Sequence, residues 1–421
     1  MKKILLSSIL ANAYDAVLYY KETFSNLHID YKAINEIEDL KKLPLLFKDQ
    51  VQANPDKFLS AKYLYFPESS NLVMQKTSGS TGRFLKVYWS QQDLVRSNFY
   101  LWNVRRRIYG IDPEMKFCTF HSTVYRGNKL IEPLEVMTFN NERTLSFSKL
   151  NLDNNHLTNY YKKMLEFEPV WLFIQPSIAV LLANFIEENN LKIPPSLKYI
   201  EMIGEYVFDN NRKVIEEVFK VPTANMYGSM ETNGIAIDCE NKHLHCITNN
   251  VLVEIINNGK CVEYGEEGDI YVTCLTNTAM PFIRYCLGDR GILYPGDTCS
   301  CGNKNPVIKV LAGRTNENVL LEGKEPINSF VLVYLVELVN KQCGDAILEF
   351  QIIQEDYGKF KALFVLKHSH FGWKDTITNH FIESTIKLGF GQVKWEVSFV
   401  DDFKPDAVTG KLQFFINKII K

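Results

Sequence analysis

Apolar residues along this chain alternate between two rhythms, short unbroken runs and helically spaced faces. Val87–Trp89 reads as a strand, and Gln91–Gly110 follows at helical spacing. Phe117–Val124 and Val170–Ile174 are strand-like runs. Ser177–Asn189 is helical, with Ile178, Leu181, Leu182 and Phe185 on its apolar side. Tyr199–Ile203 is a short apolar strand, Asn210–Phe219 a helix and Thr223–Met226 another strand. Strands that alternate with helices predict an α/β fold with a largely parallel sheet. Ligand-binding loops are then expected at the carboxyl ends of those strands.

The texture changes twice more. From Val251 the chain becomes β-rich, and Val251–Ile256, Gly268–Cys274 and Ile308–Leu311 predict a smaller sheet. After Gly313 comes an α+β tail: a helix over Asn328–Asn340, paired strands over Ala346–Ile353 and Phe360–Lys367, a helix over Trp373–Leu388 and a strand over Trp395–Val400. The expected organisation is a large N-terminal α/β domain over 1–313, with mixed and parallel sheets and flanking helices, and a small mobile α+β lid domain over 314–421. Residues 1–70 read as helices and loops. Their start, with two lysines, a short apolar run and Ala11-Asn12-Ala13, has the look of a signal peptide. The competing reading is an amphipathic first helix that continues through Tyr14, Val17 and Tyr20.

Composition narrows the function. The chain has 421 residues, 46% hydrophobic and 23% charged, which suits a soluble globular protein with ample core. A formal net charge of −2 gives no field that would gather nucleic acid or an anionic membrane. The densest basic run, Arg105-Arg106-Arg107, reads as a helix face near a phosphate or a partner. No apolar stretch is long enough to span a bilayer. Nine cysteines, an odd number, favour a reducing compartment, and the expected location is cytoplasmic.

The chemistry concentrates in Gln75-Lys76-Thr77-Ser78-Gly79-Ser80-Thr81-Gly82, followed by Arg83 and Lys86. Glycine lets the backbone turn tightly against a ligand. Exposed N–H groups, hydroxyls and cations then surround an anion, best a polyphosphate. The spacing is not that of a Walker loop, and no kinase catalytic-loop signature is present. Further along stand Tyr227-Gly228-Ser229-Met230-Glu231, Arg284-Tyr285-Cys286-Leu287-Gly288-Asp289, Gly313-Arg314-Thr315 and Thr409-Gly410-Lys411.

In this order the five motifs resemble those of the adenylate-forming superfamily of acyl-CoA synthetases. A closer resemblance is to the phenylacetate–CoA ligase family and its capsular polysaccharide branch. Leu43-Pro44-Leu45-Leu46-Phe47-Lys48, Gly204-Glu205 and Pro281-Phe282-Ile283-Arg284-Tyr285 fit it, as does Thr81–Tyr88 with Phe84 where proline is usual. The resemblance implies that Thr77, Ser78, Gly79, Ser80, Thr81 and Gly82 hold the β- and γ-phosphates of ATP, with Lys86 adding a point charge. It implies Mg²⁺ on Glu231; Tyr227, Gly228 and Ser229 beside adenine and carboxylate; and Gly204 and Glu205 flanking adenine. Asp289 is expected to accept from the ribose hydroxyls with Arg314 nearby, and Lys411 to be the catalytic lysine. Gly313–Glu317 would be the pivot between two catalytic states, although threonine stands where aspartate is frequent.

Paired thiolates and an imidazole suit a tetrahedral structural zinc site, and Cys239, His245, Cys299 and Cys301 are the candidate ligands. Free loop cysteines are the alternative. Cys118, Cys274 and Cys286 read as small core residues. Phe120, His121, Tyr125, Trp171, Phe173 and Gln175-Pro176-Ser177 are candidates for the acyl pocket, with core the favoured place for Trp171 and Phe173. The expected function is Mg·ATP-dependent activation of a small carboxylic acid to an acyl-adenylate. The acyl group then passes to coenzyme A, or to an amine or carrier in capsule or surface polysaccharide assembly. A non-catalytic nucleotide-binding protein of such a pathway is the alternative of a different class.

Overall fold

In the computed structural model of the chain, described over residues 2–64, 72–76, 85–121, 124–126, 129–131, 135–149, 152, 154–205, 207, 209–311, 318–324, 326–344, 346–366, 368–401 and 414–419, the strand–helix alternation forms a parallel sheet. Its parallel run is Thr144–Ser148, Phe117–His121, Trp171–Ile174, Tyr199–Ile203 and Thr223–Ser229, in that spatial order. Helices Asn154–Phe167, Pro176–Glu188 and Asp209–Phe219 are the crossovers. Parallel strands need both faces covered. Here Leu172, Ile174, Ile200 and Met202 pack on those helices through Leu157, Leu182 and Ile215, all buried. Trp171 and Tyr199 face the opposite core with Leu101 and Ile237. Burying one such side chain stabilises by about 1.5–3 kcal/mol.

The β-rich stretch does not make the expected separate smaller sheet. Thr223–Ser229 turns back into Asn233–Asp238, its antiparallel neighbour, with Met226 opposite Ile237. A hairpin needs no crossover, so the same sheet simply continues. It runs on through Leu244–Cys246, Val307–Val310, Tyr285–Tyr294, Glu267–Cys274, Val251–Asn257 and Lys260–Cys261. Val136–Phe139 closes the far edge, giving thirteen strands among the described residues. Of the run Phe117–Val124, Phe117–His121 is a strand of this sheet, and Val124 belongs with Val124–Arg126 to a hairpin with Lys129–Ile131.

The N-terminal residues form helices Lys2–Ala16 and Leu18–Asn26. Leu6, Ile9, Leu10, Ala13, Val17, Tyr20 and Phe24, spaced by three or four, enter the core that also holds Leu85, Val87 and Trp89. Tyr20 Oη donates to the Pro281 carbonyl at 2.8 Å and accepts from the Ile283 amide. Among the described residues no helix is long and apolar enough to cross a membrane.

The tail is a second compact unit with its own core. Ile347–Asp356 pairs antiparallel with Lys359–Leu366, and Lys394–Phe399 and Phe415–Asn417 flank them in parallel. Leu335 of helix Phe330–Gln342, Phe381 of helix Lys374–Lys387 and Phe364 of the sheet meet in that core. The fold is thus α/β with a smaller α+β C-terminal unit.

Arg105 departs from the reading of the basic run as a helix face near a phosphate or a partner. Helix Gln91–Val104 widens into a π turn over Arg105–Tyr109 and stops at Gly110, whose φ is 65°. Arg105 is 4% exposed and makes a bidentate pair with Glu201, itself fully buried, at 2.8 and 2.5 Å. Its guanidinium lies over Trp102 and Trp171, and Tyr199 donates to the same carboxylate. Only Arg106 and Arg107 remain outside. Cys118 and Cys274 are buried as expected, whereas Cys286 is half-exposed because it alternates with buried Tyr285 on its strand. Removing one member of a buried ion pair leaves a charge without compensation. Glu201→Gln is expected to destabilise this unit by about 3–5 kcal/mol in urea unfolding followed by tryptophan fluorescence, while Arg105→Met with Glu201→Met recovers most of that loss.

Candidate active site and metal centre

The parallel strands all end at one edge, and there His121, Gln175, Gly204-Glu205 and Tyr227 follow one another from strand to strand. Gly204 takes φ +75°, a left-handed turn natural to glycine. At Tyr227/Gly228 the register slips into a bulge. A Cβ on Gly228 would lie 2.6 Å from the Asn233 carbonyl oxygen, so no larger residue fits. The bulge re-aims the next side chains.

Two motifs distant in sequence meet at this turn. Tyr227 Oη donates to Asp289 Oδ2 at 2.7 Å, and Tyr285 Oη donates to Glu231 Oε1 at 3.0 Å. Ser229 and Thr232 hydroxyls lie 3.0 Å apart. Trp89 Nε1 donates to the Met230 carbonyl at 2.9 Å, tying the turn to the hairpin Leu72–Lys76 with Lys86–Ser90. Glu231 is not a surface residue: it is 6% exposed. Burial pushes its carboxyl up, against Tyr285, Ser229 and Lys48, which pull it down. Lys86 is exposed at the start of its strand. Thr77, Ser78, Gly79, Ser80, Thr81, Gly82, Arg314, the hinge 313–317 and Lys411 lie outside the described residues.

Arg284 is not among the expected site residues, yet it organises them. It sits in the left-handed region at φ 50° and is buried. Its guanidinium binds both oxygens of Glu254, at 3.1 and 2.9 Å, and the Leu43 carbonyl at 2.6 Å. Leu46 zips onto the same strand, its amide to the Arg284 carbonyl and its carbonyl to the Cys286 amide, both at 2.9 Å. The Leu43–Lys48 motif is therefore a strap on the strand that carries Tyr285 and Asp289. Of the acyl-pocket candidates, Phe120 belongs to the core beneath the helices, because it points to the opposite face from His121. Trp171 and Phe173 lie in or against the core of the other face, as favoured.

Cys239, His245, Cys299 and Cys301 come together, their ligand atoms all within 4.8 Å of one another. Cys239 directly follows one strand of the sheet and His245 lies on the next, with Val307 opposite it on the strand after that. The Cys239 and Cys299 sulfurs are 3.7 Å apart, close to the roughly 3.8 Å that two 2.3 Å Zn–S bonds subtend at a tetrahedron. His245 Nδ1 donates to the Asn305 carbonyl at 2.9 Å, and its Nε2 lies 3.2 Å from Cys301 Sγ. Burial opposes ionisation of Cys299, but hydrogen bonds from His245, the Cys301 backbone and His243 outweigh it and bring the thiol down to about 5. Burial and its sulfur neighbours hold Cys239 up at about 12. Three sulfurs and one imidazole in this arrangement fit Zn²⁺.

The chain matches no protein-family model. It is 25% identical over 412 residues to protein CapK of Staphylococcus aureus, covering 95% of this chain and 85% of that protein. It is 23% identical over 328 residues to a phenylacetate-coenzyme A ligase of Thermus thermophilus, covering 76% and 70%. Over most of its length the chain is similar to CapK and to the phenylacetate–CoA ligases. The fold likeness agrees: a 2-hydroxyisobutyryl-CoA ligase, solved with 2-HIB-AMP and CoA, superposes with a TM-score of 0.63 at 17% identity, over 99% of this chain and 88% of that one.

Gly228→Ala is expected to displace the turn and lower turnover at least about a hundredfold in a family ligase, as misplacement of about 1 Å does, read as steady-state kinetics on the folded variant. Metal analysis of the purified protein is expected to find about one zinc per chain. Cys299→Ser should lose it and melt earlier, whereas His243→Ala should keep it.

Proposed function

We propose that the protein is an adenylate-forming ligase that activates a carboxylic acid with ATP and passes the acyl group to coenzyme A. The observation that carries this is the convergence of Tyr227 on Asp289 and of Tyr285 on Glu231 at the carboxyl edge of the parallel strands. That edge is where α/β sheets bind nucleotides. Full-length likeness to CapK supports a second acceptor, an amine or carrier in capsule or surface polysaccharide assembly.

In this reading Thr77, Ser78, Gly79, Ser80, Thr81 and Gly82 wrap the β- and γ-phosphates, and Lys86 adds charge. Tyr227 holds Asp289 oriented toward the ribose, with Arg314 as its companion. Gly204 and Glu205 border the adenine, and Gly228 and Ser229 the reacting carboxylate. Tyr285 fixes the rotamer of Glu231, the carboxylate that would hold Mg²⁺, an ion that takes oxygen ligands and neutralises phosphate charge when bound. A substrate carboxylate oxygen attacks the α-phosphorus and the bond to pyrophosphate breaks. Lys411 offsets the negative charge that gathers between them. The acceptor thiol then attacks the acyl carbon, loses its proton and releases AMP. The Cys239, His245, Cys299 and Cys301 zinc is structural here. Residues 314–421 act as a lid pivoting at 313–317, and a cytoplasmic location follows from dependence on ATP and coenzyme A.

The test is carboxylate-dependent exchange of labelled pyrophosphate into ATP over aryl, fatty, amino, hydroxy and sugar acids. Exchange with one class is expected, falling about 10²–10³-fold in Lys411→Ala with ATP binding retained. Absence of exchange with every acid, in protein that binds ATP, removes the adenylation reading.

A further inference from the structure

We propose that the acid activated here carries a hydroxyl or amino group near its carboxylate, and that Gln175 reads it; this rests on the adenylation reading above. Gln175 continues its strand in extended conformation, φ −70° and ψ 142°, before the helix begins at Pro176. Alternation along Trp171, Phe173 and Gln175 puts its side chain on the face opposite the crossover helices. There it neighbours Gly204, where a Cβ would come 4.0 Å from Gln175 Cγ. Gln175 Oε1 is sealed from solvent and has no hydrogen-bond partner among the described residues. A buried amide oxygen without a partner is uncommon, because leaving it unmade is costly. At a ligand-binding edge, the group that completes it is a donor on the ligand.

The neighbouring strand extends the same character. Thr119 pairs with Phe173, so the register carries His121 beside Gln175, one strand spacing away. His121 Nδ1 lies 2.7 Å from the Ser146 hydroxyl, and Ser146 and Ser148 are both buried on this strand's partner. An acid with only aryl or alkyl carbon would leave that run of polar groups facing hydrocarbon. In strand order Gln175 and His121 lie two and three strands beyond Tyr227, on the side away from Asp289, with Gly204, which borders the adenine in the reading above, in between. A donor is equally present on adenine, in its amino group, and the experiment separates the two sources.

The experiment is pyrophosphate exchange on the full chain with paired acids: 2- or 3-hydroxy and amino acids against the same carbon skeletons without the substituent, each also with inosine triphosphate in place of ATP. The expected result is a preference in kcat/KM of about a hundredfold or more for the substituted acid, since a site built to hydrogen-bond a substrate rejects the analogue that lacks the group. Gln175→Met is expected to narrow that ratio to about threefold. Gln175→Glu, which keeps an acceptor oxygen, should retain it for the amino acid. Equal or better exchange with the unsubstituted acids overturns the inference while leaving adenylation standing. So does a Gln175→Met effect confined to ATP against inosine triphosphate. Exchange with no acid overturns both readings.

Discussion

The Arg284 guanidinium is the interaction on which the carboxyl edge of the sheet, with its Tyr227–Asp289 and Tyr285–Glu231 pairs, depends. A buried cation has to be fully met, and Arg284 is met by both oxygens of Glu254 and by the Leu43 carbonyl. Its amide donates to Thr273 Oγ1 at 3.0 Å. One residue therefore fastens Val251–Asn257, Glu267–Cys274, the start of Tyr285–Tyr294 and the Leu43–Lys48 strap. Tyr285 is the next residue, and it holds Glu231; Asp289 follows four positions later and is held by Tyr227. Both hydrogen bonds span the join between the antiparallel and parallel parts of the sheet. Fixing the backbone at Arg284 is what sets the height of Tyr285 and Asp289 against the Tyr227–Glu231 turn.

That join explains why one sheet can serve as scaffold for the whole site. Parallel strands deliver their carboxyl ends to a common edge but require a helix for each return. Antiparallel strands need only turns, so the chain after Asn233 adds width quickly and brings back residues from far along the sequence. Asp289 returns 62 positions from Tyr227 in this way. Gly228 is the physical limit at the junction: the Asn233 carbonyl occupies the space a side chain would need.

Legibility in the sequence follows the range of the forces involved. Helices Pro176–Glu188 and Asp209–Phe219 and strands Tyr199–Ile203, Val251–Asn257 and Glu267–Cys274 are readable because apolar spacing is local. The Tyr227 and Asp289 motifs are readable because glycine beside chemistry-bearing residues marks a tight turn against a ligand. The continuity of the sheet is not, since nothing local distinguishes a strand that joins a neighbour from one that begins a new sheet. Arg105 reads as surface because charge usually is; its partner Glu201 lies 96 residues on, inside an apolar strand where a lone glutamate is the one sign that a cation must come to it. Arg284 is legible as part of its motif but not as a buried cation, and the lone Glu254 in Val251–Asn257 is the corresponding sign.

The cysteine cluster shows the other side of that argument. Cys239 and His245 are separated from Cys299 and Cys301 by four strands of chain, yet Leu244–Cys246 and Val307–Val310 are adjacent in the sheet. Pairing alone brings the loops together; a tetrahedral ion would lock what the ladder has placed. The cluster connects to the strand of Tyr227 through Asp238, the residue before Cys239. Its carboxylate is buried and accepts from the Asn225 amide at 2.8 Å and from Arg212 at 2.6 Å. Asn225 lies two residues before Tyr227 on the same strand. The cysteine–histidine cluster and the Tyr227 turn are thus joined by one carboxylate, that of Asp238.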